Sequence, residues 1–140
     1  MTTELTAKAP AGLRLLVAFY WLTGTLDVGA SLLFTGALPA PLQDWLHQVS
    51  ANPGIAEWLL RAWMVVLLVA LIAGSLGIYR ARLWGRRVFT VANVLMFASY
   101  PLLDAMVYTW FGGLFADFAL LLTGSILALA YAPGYRDALR

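Results

Sequence analysis

Asp27, Asp104 and Asp117 each lie within a long apolar run, and so does one arginine, Arg61. A charge at the centre of a bilayer costs a few kcal/mol or more, so residues of this kind pair, face water, or carry a function. Two kinds of chemistry are open to them. An arginine fork bridges carboxylates and lowers the cost of holding both charges in apolar surroundings. An acid left unpaired there is the exchangeable group that proton-coupled and cation-coupled carriers use.

Spacing sorts the four charges. Tyr20, Thr23, Asp27 and Ser31 recur at three and four residues and so share one helical face, as do Asn93, Tyr100, Asp104 and Tyr108. At about 1.5 Å per residue Asp27, Arg61, Asp104 and Asp117 all fall in the outer half of their spans, and with the two faces this depth predicts a polar cluster of Asp27, Arg61, Tyr100, Asp104 and Asp117. In it Arg61 pairs with Asp104 or Asp117, and Asp27 sits deeper, with Tyr20, Thr23 and Tyr100 around it. The same cluster serves equally as a packing device, since polar contacts between membrane helices are worth about 1 kcal/mol each. Pro101 lacks an amide hydrogen and leaves the carbonyl of Phe97 free, which predicts a kink over Ser99 to Pro101.

Enzymatic chemistry has little to stand on. No Ser/His/Asp arrangement, glycine-rich phosphate loop or HExxH pattern occurs. The chain has no cysteine, which removes thiolate metal sites, iron–sulfur clusters and disulfides together. His47 is the single histidine and has one nearby acid, Asp44, a poor ligand set. The expectation is a non-enzyme with no cofactor and no metal.

The elements that must position these residues are membrane spans. Of the 140 residues 62% are hydrophobic and 11% charged, with a mean hydropathy of +0.81, against roughly 25% charged in soluble domains. Spans are predicted at about 13–37, 56–79, 88–110 and 114–131, four lengths of about 20 residues that form one membrane domain over 1–140. Pro39, Pro41 and Asn52-Pro53-Gly54 end the first span and delay the second. Between them, Leu42, Trp45, Leu46 and Val49 recur at i, i+3, i+4 and i+7, so about 41–50 reads as an interfacial amphipathic helix.

The loop from Arg80 to Arg87 carries Arg80, Arg82, Arg86 and Arg87 and no acid, which sets it on the cytoplasmic side. Both termini then lie inside, the first span acts as a retained signal anchor, and the 38–57 connection lies outside. The net charge of +2 and a pI near 9.2 come from these topology-setting arginines, so no nucleic-acid partner is expected. The fold class is an all-α integral membrane protein of the inner membrane, an antiparallel four-helix transmembrane bundle with one outer amphipathic helix. Ala70-xxx-Gly74 and Ala73-xxx-Gly77, with Gly24, Gly29, Gly124 and Ala128, are small-residue surfaces for contacts within the bundle or between protomers.

Tyr20-x3-Gly24-x2-Asp27-Val28 resembles the first helix of the small multidrug resistance transporters, which carry a glutamate there. The likeness covers about one helix and departs from that family in the Asp for Glu, the long outer connection and the further charges. Arg14-Leu-Leu, with Gly24 and the proline-rich connection, resembles the DoxX-like four-helix proteins. No residue role is carried over from either. Two readings of function follow from the residues themselves. One is a carrier or binding protein for a proton, cation or amphipathic solute, with Asp27 as the exchangeable acid, Asp104, Arg61 and Tyr100 shaping the site, and a homo-oligomer in the bilayer. The other is a non-catalytic accessory or scaffold subunit held to a membrane-protein partner through small-residue interfaces.

Overall fold

The computed structural model describes residues 10–33, 39–51, 54–102 and 110–136. They are helical, with no strand among them: α1 (Ala11–Leu33), α2 (Ala40–Ala51), α3 (Ile55–Tyr79), α4 (Leu83–Ser99), a 3₁₀ turn (Tyr100–Leu102), α5 (Trp110–Tyr131) and the short α6 (Pro133–Arg136). The long helices form a closed circuit. α1 packs along α5, α3 along α4, and lighter contacts between α1 and α3 and between α4 and α5 join the two pairs.

Burial follows a 3.5-residue repeat on every long helix. The inward positions are Leu13, Val17, Tyr20, Gly24 and Asp27 on α1, and Leu60, Met64, Leu67, Leu71, Gly74 and Ile78 on α3. On α4 they are Gly85, Phe89, Ala92, Met96 and Ser99, and on α5 Ala116, Ala119, Thr123, Ile126 and Ala130. Alternating steps of three and four are the signature of helices wound into a left-handed bundle. The outward faces are apolar on all four: Leu22 and Leu26, Val65 and Val69, Val91 and Val94, Leu120 and Leu121 are exposed.

The α3–α4 pair is held by close backbone approach. A Cβ on Gly77 would lie 2.5 Å from the Cα of Gly85, and one on Gly74 would lie 2.6 Å from the backbone nitrogen of Phe89. The connection is three residues long, and Ala81 adopts φ 56° in it. The amide of Arg82 bonds the carbonyl of Gly77 at 2.8 Å and that of Ala81 bonds Ile78 at 2.9 Å, which together close a Schellman motif. Ala81 is buried in the core, so its methyl packs even though the left-handed backbone favours glycine.

Two helices, Ile55–Tyr79 and the Gly113–Tyr131 part of α5, are long and apolar enough to cross a membrane. α1 is diluted by Arg14, Thr23, Thr25 and Asp27. α4 starts five residues before the expected span and carries Arg86 and Arg87 in its first turns. Its 17 residues reach about 25 Å at 1.5 Å per residue, short of a hydrocarbon core of about 30 Å. It ends where Pro101 was expected to kink it: Tyr100 begins the 3₁₀ turn, and its amide takes the Phe97 carbonyl that proline cannot bond.

Candidate functional site

Positions one step past an inward residue turn about 100° away from the bundle. Such a position is covered where another helix reaches it, as at Ser75 and Arg86, and open where none does. Arg61 follows Leu60, Tyr100 follows Ser99 and Asp117 follows Ala116, and all three are exposed. Arg61 lies over the ring of Trp58, with its guanidinium carbon 5.8 Å from the centroid. Glu57, four residues before Arg61, instead accepts a hydrogen bond from the amide of Gly54 at 3.1 Å, closing the start of α3. Tyr100 meets Phe97 edge-on at 5.4 Å. Asp104 and Tyr108 lie outside the described residues.

Asp27 is different. It continues the α1 repeat two turns beyond Tyr20 and is half-buried; Glu57 falls on the α3 repeat as well, but its carboxylate is taken by the Gly54 amide. The Asp27 Oδ1 is buried and has no hydrogen-bond partner among the described residues. Gly24 and Gly29 flank it on α1, and among the described residues nothing lies within 4 Å of where their Cβ atoms would stand. Tyr20, expected beside Asp27, packs edge-on against Phe89 at 5.7 Å. Thr23 bonds back to the Phe19 carbonyl of its own helix at 2.9 Å.

A second polar system joins the helix pairs at the end that carries the arginine loop. On one side Arg14 donates to the Tyr79 hydroxyl at 2.9 Å, with its guanidinium carbon 4.7 Å from that ring's centroid. Trp21 stacks on Tyr79 and donates its indole N–H to Ser75 at 2.9 Å. On the other side Arg86 donates to the Ala130 carbonyl at 3.2 Å and lies 4.6 Å from the centroid of the Tyr131 ring. Thr90 and the Tyr131 hydroxyl stand 3.0 Å apart. Sequence reading grouped Arg86 with Arg80, Arg82 and Arg87 as a topology signal. The structure separates it from them: Arg86 turns inward while the other three are exposed. The signal was available, since Arg86, Phe89, Thr90 and Asn93 fall at i, i+3, i+4 and i+7. Asn93 is 8% exposed and donates to the Phe89 carbonyl at 2.7 Å.

Among the described residues the fold and site thus define an all-helical protein with two helices long and apolar enough to cross a membrane and a half-buried, unpartnered acid, Asp27, on the inward repeat of α1. No family model matches the chain, and no curated protein or solved structure does either.

Proposed function

We propose that this is a small multi-pass protein of the inner membrane, with all four long helices crossing the bilayer, that binds or carries a proton, a cation or an amphipathic cationic solute through Asp27. The observation that carries the reading is the state of Asp27: a half-buried acid on the α1 repeat with one carboxylate oxygen buried and, among the described residues, unpartnered, whereas Glu57 is bonded to Gly54. Burying such an oxygen without a hydrogen bond costs about 1–3 kcal/mol, so a proton or a cation has a ready place on it. Membrane residence is supported by the apolar outward faces of α1 and α4 beside those of α3 and α5. The arginine loop sets both termini on the cytoplasmic side.

The test is isotope-edited infrared titration of the carboxyl band in lipid vesicles, with Asp27→Asn as control and tetraphenylphosphonium as the cationic probe. A band that disappears in Asp27→Asn and shifts on adding the probe supports the reading. A band assigned to Asp27 that neither protonates between pH 4 and 9 nor responds to the probe refutes it.

A scaffold role has its own support. Gly124 has nothing within 4 Å of its absent Cβ, and Ser125, Ala128 and Leu121 are exposed beside it on α5. This strip offers small residues to another helix, whereas Gly74 and Gly77 are already occupied by α4. Co-purification of a partner that is lost in Gly124→Leu, with Asp27→Asn silent, would decide for the scaffold.

A further inference from the structure

A groove of about 320 Å³ runs along the outside of the α3–α4 pair. Its walls are apolar, with Val66, Leu67 and Ala70 on α3 facing Val91 and Leu95 on α4. One end holds Arg87, the only charged residue that lines it. The other end is closed by Trp63, which is fixed by an indole N–H bond to Ser99 at 3.0 Å. From Arg87 to Leu95 the groove follows α4 for about 12 Å, close to half the hydrocarbon thickness.

A slot with one cation at the mouth and hydrocarbon walls matches one kind of ligand, an acyl chain that ends in an anionic headgroup. Arg86 turns inward to Ala130, whereas Arg87 is exposed and makes no hydrogen bond or ion pair to another described residue. Its surroundings are all basic in the Arg80–Arg87 stretch, with exposed Trp84 at the same level. Anionic lipid of the cytoplasmic leaflet gathers at such segments.

We propose that the α3–α4 groove holds one acyl chain of an anionic phospholipid from the cytoplasmic leaflet, with its phosphate on Arg87. The site rests on the membrane reading above and is independent of Asp27. Its lining positions Val66 and Val91 are 57% and 56% exposed, so phenylalanine there fills the groove from outside without entering the core.

Native mass spectrometry of the detergent-purified full chain tests it, with phosphatidylglycerol and phosphatidylcholine of identical chains added in equal amounts. Phosphatidylglycerol adducts are expected to dominate, to fall roughly fivefold in Arg87→Gln, the weight of one basic residue at an anionic surface, and to stay unchanged in Arg82→Gln. Val66→Phe with Val91→Phe is expected to remove adducts of both lipids. Equal losses in Arg87→Gln and Arg82→Gln, or displacement by glycerol 3-phosphate alone, overturn the site. Carbonate washing of the membranes separates the two levels. A chain released to the supernatant overturns the membrane reading together with the site, and a retained chain without phosphatidylglycerol preference overturns the site alone.

Discussion

Replacing Gly77 by alanine tests the packing on which every placement above depends. The added Cβ would stand 2.5 Å from the Cα of Gly85, whereas ordinary contact begins at 3.4 Å, so α3 and α4 must part locally by about 0.9 Å. The obstacle is backbone on both sides, and no side-chain rotation relieves it. Overpacking of this kind costs about 1–3 kcal/mol, and the upper end applies where backbone must move. Alanine also gains about 1 kcal/mol of helix propensity over glycine. Gly124→Ala shares that gain but meets open space. The difference between the two variants therefore isolates the clash, and it is expected at about 2–3 kcal/mol against Gly77→Ala. Equilibrium unfolding in mixed dodecylmaltoside and dodecyl sulfate micelles, followed by circular dichroism, measures it. Gly85→Ala should match Gly77→Ala, and the double variant should cost less than the two losses added, because one separation of the helices serves both. A Gly77→Ala protein as stable as Gly124→Ala would refute the close α3–α4 crossing and the groove geometry built on it.

Three further outcomes follow from single side chains. Asp27→Leu completes an apolar inward face and removes an unpartnered buried oxygen, so it should stabilise the bundle by about 1–3 kcal/mol in the same unfolding assay while abolishing the carboxyl signal; a loss of stability would mean that Asp27 is paired. Ala81→Gly trades relief of the left-handed backbone against a buried methyl and should stay within about 1 kcal/mol of the parent, whereas Ala81→Val, β-branched at φ 56°, should lower stability by about 2 kcal/mol or more. Tyr131→Phe loses the Thr90 bond but keeps the ring under Arg86; it should cost about 1 kcal/mol, and Tyr131→Leu distinctly more, by the same measurement.

Much of this fold could be read in the sequence because burial follows a repeat of 3.5 residues, and that repeat is visible in the apolar and small residues themselves. α3 ends at Tyr79 and α5 at Tyr131, where the expected spans end. The site was harder. Arg61 and Asp117 are assigned by depth along their spans, which does not say which way a residue faces, and Tyr100 by its distance from other polar residues, which does not say whether that face is covered. Arg61, Asp117 and Tyr100 each lie one residue past the inward positions Leu60, Ala116 and Ser99 and are exposed, whereas Ser75 and Arg86, offset in the same way from Gly74 and Gly85, are covered by α1 and α5, so the contacts between helices decide. Gly85 was read as part of an arginine loop, and only the fold reveals it as the partner of Gly77. The left-handed turn at Ala81 carries no sequence mark at all, since the usual glycine is missing there.

Within the α3–α4 pair the helices meet through glycine and backbone and through the bond from Trp63 to Ser99, and Leu13, Val17, Ile126 and Ala130 of the α1–α5 pair share one buried apolar cluster with Leu71, Ile78, Phe89 and Ala92 of the other. Between the pairs the recorded bonds are directional: Arg14 to Tyr79 and Trp21 to Ser75 on one side, Arg86 to the Ala130 carbonyl and Thr90 with Tyr131 on the other. Lipid offers no hydrophobic drive for helices to associate, so close packing and hydrogen bonds must supply both affinity and register. Apolar packing runs both within and between the pairs, and hydrogen bonds fix how one pair sits on the other. These bonds lie toward the end that carries the arginine loop. Asp27, farther along α1, lies beyond them, with no directional bond to α3 or α5 at its own level among the described residues. On the function proposed above, a bundle whose hydrogen bonds between pairs lie at one end and whose Asp27 lies away from them would admit a proton or a small cation to that acid without breaking those bonds.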